Sequence, residues 1–195
     1  MRAVLVGLLA VLAVAGVVPP AQAAQVSIVD FGFDPAIVRI GQGESVIWTN
    51  IGNVTHTSTQ DGPLVFWDTG HIAPGDFGEV NQGILVAAGS YPYHCAIHPS
   101  MHGVVRVALL VDRTTGTTST TFTFTLASAA QPGYVYDVQK KRGSGRWRAF
   151  RTGVSATTTK FQASVPGTYA FRSRVRRTSD GATSGWSRPK VLMVS

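Results

Sequence analysis

Cys95, His98 and Met101 stand at three-residue intervals in the segment Tyr93-His94-Cys95-Ala96-Ile97-His98-Pro99-Ser100-Met101-His102-Gly103. A thiolate, an imidazole and a thioether on one short loop form a soft ligand set. A trigonal His2Cys site with a long axial Met is the arrangement of copper that carries single electrons. At about 3.3 Å per residue, two intervening residues let a turning chain bring neighbouring ligands to one ion. Pro99 stiffens the loop, and Gly103 permits a tight exit into the next strand. The loop offers one imidazole of the two required. His56, in Asn53-Val54-Thr55-His56-Thr57, is the best candidate for the second.

The other histidines fit the site less well. Side chains alternate across a strand, so if Cys95 faces the ion, Tyr91 and Tyr93 share its side and His94 points away. His94 then packs or supports the site from behind. His71 follows Gly70 in a loop and reads as a surface residue, and His102 reads as the loop rim. His98 and His102 have i, i+4 spacing, but Pro99 opposes a helix and no Glu stands where a zinc protease needs its base. Two bland alternatives stay open at this point: Met101 as a core filler, and Cys95 as a buried inert thiol.

Cys95 is the only cysteine of 195 residues, so no internal disulfide is available. The N-terminus explains why that matters. Arg2 precedes an apolar run from Ala3 to Val18, Pro19 and Pro20 break it, and Ala21-Gln22-Ala23 has a small-x-small cleavage form. The run is shorter than the roughly 20 residues a membrane span requires. We therefore read residues 1–23 as an export signal. The mature chain is expected outside the cytoplasm, secreted, periplasmic or at the cell surface, with no transmembrane segment. A lone thiol in such a compartment is paired between chains, free or bound to metal.

Charge divides the mature sequence. Residues 24–111 carry two arginines, seven acids and all five histidines, a net of −5; residues 112–195 carry fourteen Lys and Arg against three acids, a net of +11. Such asymmetry predicts two domains with different surfaces. The hydrophobic fraction of 44% is enough to bury real cores. Short segments rich in Val, Ile, Phe, Tyr and Trp, over 25–30, 36–40, 45–50, 77–80, 90–95 and 103–110, are separated by turn residues, and none has helical periodicity. Thr-rich 112–120 reads as a linker. Beyond it, period-two alternation over 121–126, 134–139 and 169–176 predicts a second antiparallel sandwich with an arginine stripe on one outer face.

The stretch Tyr91 to Val107, with the upstream Trp48-Thr49-Asn50, Thr55-His56-Thr57, Asp61-Gly62, Phe66-Trp67-Asp68-Thr69-Gly70 and Pro74-Gly75, resembles the plastocyanin and amicyanin kind of cupredoxin. The resemblance spans about Gln25 to Leu110. It implies an all-β Greek-key sandwich over 24–111 holding one type 1 copper, Cu(I)/Cu(II). His56, Cys95 and His98 would be its equatorial ligands and Met101 the weak axial one. It implies an electron carrier rather than an enzyme, docking an unidentified redox protein near His98. Many relatives carry Asn after the first His; here Thr57 stands there, so the hydrogen bond beside the thiolate is open. Val165-Pro166-Gly167-Thr168-Tyr169-Ala170-Phe171-Arg172 and Ser184-Gly185-Trp186-Ser187 resemble a fibronectin type III module over 121–195, with Trp147 and Tyr136 as core aromatics. The arginines there could be a merely solvated face. They could also meet an anionic cell-surface polymer or acidic partner; nucleic acid is not expected for an exported chain. The competing functional reading is an extracellular copper-binding or adhesive module with no carrier role.

Overall fold

The computed structural model describes residues 23–195. The expected export signal lies, but for Ala23, outside the described residues. Those residues form an all-β structure without helices. The first half builds β1 (Ala24–Val29), β2 (Gly32–Asp34), β3 (Ile37–Ile40), β4 (Val46–Asn50), β5 (Thr59–Gln60), β6 (Phe77–Val80), β7 (Gly89–His94) and β8 (His102–Val107). They make two four-stranded sheets, ordered β2-β1-β4-β6 and β3-β8-β7-β5. Strand neighbours are mostly not consecutive in sequence, so the chain crosses repeatedly between the layers. Alternation decides which side faces inward: Val46 and Trp48 on β4, and Tyr91 and Tyr93 on β7, are fully buried. Trp48 meets Tyr93 edge-on at 5.4 Å and stacks on Trp67 at 5.8 Å, while Phe33 meets Tyr93 at 4.8 Å. These rings bind the two sheets beneath the Cys95 loop.

The second half builds β9 (Leu110–Val111), β10 (Thr115–Gly116), β11 (Thr121–Thr125), β12 (Tyr134–Arg142), β13 (Arg148–Val154), β14 (Thr158–Gln162), β15 (Gly167–Arg177) and β16 (Lys190–Val194). A three-stranded sheet, β14-β11-β9, packs on a five-stranded one, β10-β16-β15-β12-β13. Phe171 of the larger sheet touches Phe124 and Phe161 of the smaller at 4.5 and 4.8 Å. Residues 112–120, expected as a linker, are structured: β10 pairs in parallel with β16. Leu110 and Val111 already pair with β11.

The outer face of β15 differs from a solvated stripe. Arg172 lies over Trp147 at 4.4 Å and over Trp186 at 4.9 Å, and Arg174 covers Trp186 at 4.6 Å. Trp147 therefore belongs to this surface ladder of cation–π contacts rather than to the core; Tyr136 is buried as expected. Asp137 is buried among these arginines, 3.2 Å from Arg174 and 3.1 Å from Arg176, and accepts from the Gly153 N–H. Burial alone would raise its pKa, but Arg176, the Gly153 N–H and Arg174 outweigh it and hold the carboxyl below the usual 3.8.

The two sandwiches share a face. Ser90 and Gly185 exchange backbone hydrogen bonds of 3.0 and 2.9 Å, and the Ala88 N–H donates to the Leu126 carbonyl at 2.8 Å. Phe66 packs between Tyr91 and Tyr134, at 5.8 and 5.5 Å. The buried apolar residues of both halves consequently form one continuous cluster.

Gly103 shows why one position excludes a side chain. It pairs with Tyr93, and a Cβ there would overlap the Tyr93 ring. The glycine makes room for a buried aromatic; the tight exit expected from sequence is not its main role. Gly103→Ala is expected to cost about 1–3 kcal/mol in denaturant unfolding; no loss would mean that the ring does not lie over this backbone.

Asp137 adds a pH dependence. Its folded pKa is depressed, so its stabilisation is full above about pH 4 and disappears as pH falls through the folded value. Asp137→Asn should be the less stable protein at pH 7. Its deficit should shrink on acidification, checked by unfolding at pH 7 and in strong acid.

Candidate metal centre

β7 ends at His94 and β8 begins at His102, so the intervening residues must reverse the chain. They do so through two successive three-residue turns: the His98 N–H donates to the Cys95 carbonyl at 3.2 Å, and the Met101 N–H to the His98 carbonyl at 2.9 Å. The Cys95 N–H closes the neck onto the Met101 carbonyl at 3.1 Å. The C-x-x-H-x-x-M spacing is thus the repeat of the turn itself. Cys95 and Met101 are buried at the base, and His98 is half-exposed at the tip.

His56 arrives from the β4–β5 connection. Its backbone is pinned on both sides, N–H to the Ile72 carbonyl at 3.1 Å and carbonyl from the Ile72 N–H at 2.8 Å. Buried Asn50 holds the approach: its side-chain N–H2 donates to the Val54 and Ile72 carbonyls, at 2.8 and 2.9 Å, and its oxygen accepts from the Gly52 N–H. Asp30 fixes the outer rim through Asn53. An Asn at a strand end reads from sequence as a turn former, so its part in placing His56 was not apparent there.

The three expected ligands meet. His56 Nδ1 and His98 Nδ1 lie 3.8 and 3.6 Å from Cys95 Sγ and 3.1 Å from each other. Among the described residues this is the one group of three His, Cys, Asp or Glu donors so close together. Donors about 2.0–2.3 Å from a shared centre and roughly 95–120° apart around it lie about 3–4 Å from one another. The observed triangle fits a single small ion, and one thiolate with two imidazoles is the donor chemistry that copper favours. His56 Nε2 is buried without a hydrogen-bond partner. Among the described residues the ring's only partners are therefore those at Nδ1, Cys95 Sγ and His98 Nδ1; an ion on Nδ1 would place the ring proton on Nε2. Burial, then the neighbouring His98, hold the His56 imidazole below its usual 6.5, with Asp30 pulling weakly the other way. The ring is thereby favoured in its neutral, ligating form.

Thr57 resolves the question left by the missing Asn. Its backbone N–H donates to Cys95 Sγ at 3.3 Å, and its hydroxyl accepts from the Ala96 N–H at 2.8 Å. The hydroxyl thereby ties the two ligand-bearing loops together. His94 points away from the triangle, as strand alternation requires, and its ring bonds to Asp61. His71 and His102 are exposed. Met101 is buried and bonded through its backbone to both Cys95 and His98.

Phe31 was not apparent from sequence. It occupies the β1–β2 turn with φ of 66°, the left-handed region that bulky residues avoid. Its ring is 62% exposed and stands edge-on to His98 at 5.1 Å and to His56 at 6.5 Å. The strain is kept where the ring caps the two imidazoles.

No family model matches the sequence, and no curated protein does. Solved structures are similar over the first half. A purple cupredoxin from Nitrosopumilus maritimus is 26% identical over 44% of this chain and 99% of its own, with a TM-score of 0.40. An amicyanin variant is 22% identical over 44% and 82%, with a TM-score of 0.40. A copper-containing nitrite reductase from Thermus scotoductus is 24% identical over 50% of this chain and 25% of its own, with a TM-score of 0.41.

Phe31 gives the test of the site's rim. Phe31→Ala loses the ring and keeps the unfavourable φ; Phe31→Gly loses the ring and relieves it. The Gly variant is expected to be the more stable of the two by about 1 kcal/mol in denaturant unfolding. The reverse order would contradict a left-handed residue at this turn.

Proposed function

We propose that this protein is an exported copper protein that carries single electrons and transforms no substrate. The convergence of buried His56 Nδ1 and Cys95 Sγ with half-exposed His98 Nδ1 into one triangle carries this reading. These three residues would hold one copper ion, with Met101 as the weak fourth ligand. The bound metal would supply a one-electron Cu(I)/Cu(II) couple.

The chain's own residues supply the rest. The closed neck at Cys95–Met101 and the Ile72 bridge at His56 hold the donors in place without the ion, so little has to move when charge changes. The Thr57 N–H supports negative charge on the sulfur. Burial of Cys95 and His56 excludes water from the thiolate side, leaving His98 as the least buried ligand. Exposed Phe31 and Ile97 beside it offer an apolar landing for a redox protein.

Export is supported by the signal-like N-terminus. Among the described residues no helix is long and apolar enough to cross a membrane. The second sandwich we read as a fibronectin type III-like module. Its three-stranded sheet packed on a larger one supports that, as does the Tyr169 hydroxyl donating to the Val165 carbonyl, a corner found in such sandwiches.

Copper(II) added to the purified protein should bind with one equivalent and give an intense visible thiolate-to-metal band. Cys95→Ser should lose the band and keep the fold, and reductant then oxidant should bleach and restore the wild-type colour. An intense band in Cys95→Ser would overturn the ligand assignment. Tight binding without reversible bleaching would favour a sequestering module over a carrier. Met101→Leu should keep the band and shift the potential upward, because the oxidised ion loses a weak donor.

A further inference from the structure

The hairpin β12–β13 closes through Lys140-Lys141-Arg142-Gly143-Ser144-Gly145-Arg146-Trp147-Arg148, five cations in nine residues. A cavity of about 400 Å3 lies against it, walled on the far side by the β14–β15 connection with Val165 and by Tyr169. All five cations line this cavity, and no acidic residue does.

The acids of this half are engaged elsewhere. Asp112 pairs with Arg113, Asp137 with Arg174 and Arg176, and Asp180 with Arg177. Among the described residues none of the five hairpin cations is ion-paired. Like charges gathered without counterions raise the local potential and draw anions to the concave surface.

The cavity is built on rigid backbone. Lys140, Lys141 and Arg142 pair in register with Phe171, Ala170 and Tyr169 of β15. Arg142 also donates to the Pro166 carbonyl at 2.7 Å, which ties the far wall to the hairpin. Arg146 and Arg148 are exposed, and among the described residues neither makes a side-chain hydrogen bond, leaving both guanidiniums open to bidentate contacts.

The aromatic groups nearby narrow the class of ligand. Trp147 is covered by Lys141 at 5.2 Å and by Arg172 at 4.4 Å, and Phe150 by Lys140 and Arg151 at 5.1 and 4.3 Å. The Tyr169 hydroxyl is spent on the Val165 carbonyl. Their faces already carry the protein's own cations, so no open platform remains for nucleobases to stack on. A concave site of this size takes a few sugar rings and does not match a flat bilayer.

We infer that this cavity binds an anionic polysaccharide through its sulfate or carboxylate groups, fixing the metal-bearing sandwich to a charged extracellular matrix. Binding at this cavity is independent of the copper reading, because no residue of the cavity touches the metal centre; that the polymer lies outside the cell rests on the proposed export.

The test uses the full mature chain with a heparin fragment and with polygalacturonate, titrated at rising salt. The wild type should bind at about 0.15 M salt, with affinity falling steeply as salt increases. Arg146→Glu with Arg148→Glu should weaken binding about tenfold or more and flatten the salt dependence. Arg188→Glu with Lys190→Glu makes the same change in net charge outside the cavity and should change affinity less than about threefold. Far-ultraviolet circular dichroism and thermal melting confirm that both doubles fold. Tighter binding of heparin identifies sulfate as the preferred group, and tighter binding of polygalacturonate identifies carboxylate; either supports the site. Equal losses in the two doubles, no wild-type binding at that salt, or equally tight binding of a single-stranded oligonucleotide would overturn it.

Discussion

Three atoms with lone pairs converge inside this protein, and the rest of the first sandwich is arranged to keep them there. Two imidazole nitrogens and a sulfur within 3.1–3.8 Å of one another repel when all three are deprotonated. A ring N–H can satisfy only one of these neighbours at a time; a cation at the centre would satisfy all three lone pairs at once. The fold makes the crowding unavoidable. Cys95 is drawn inward at the end of a strand whose alternate residues Tyr91 and Tyr93 are anchored in the core. His56 is held by a two-sided backbone bridge, and His98 by the turn that begins at Cys95. All of these restraints are backbone hydrogen bonds and core packing of the chain itself.

The supporting contacts explain why ligand types alone do not define the centre. Asn50 satisfies two carbonyls and one N–H that would otherwise be stranded in the approach to His56. Thr57 turns a backbone N–H toward the sulfur and lends its hydroxyl to the Ala96 N–H, so one residue shapes both the electrostatics and the geometry. Buried polar groups of this kind are costly when unpaired and rigidifying when paired. Their position puts that rigidity around Cys95.

Much of this was legible in the sequence, for identifiable reasons. The strands at Val46–Asn50 and Gly89–His94 alternate between buried and wetter residues, and their extents agree closely with expectation. The ligand spacing was readable because it repeats the three-residue turn. The strands β2 and β5 escaped because two or three residues carry no period. β13 escaped because only Phe150 and Val154 in it are even partly buried, and its pairing with β12 shifts register. The Arg172–Arg176 stripe is visible in the sequence, but not its partners, because Asp137 comes from β12 and Trp147 and Trp186 from the β12–β13 and β15–β16 connections. Phe31 was beyond reach because a positive φ at a non-glycine leaves no mark in composition. The continuous core joining the sandwiches, through Ser90–Gly185 and Phe66–Tyr134, depends on tertiary docking that no local pattern encodes.

That docking gives the second sandwich a structural part beyond tethering, since β7, which leads to Cys95, also bonds to Gly185. The metal centre and the basic cavity therefore sit on one connected framework. X-ray absorption at the copper edge of the loaded protein tests the central claim most directly. The account expects one sulfur at short distance and two imidazole nitrogens around a single copper. A shell of nitrogen and oxygen alone, with no short sulfur, would contradict it.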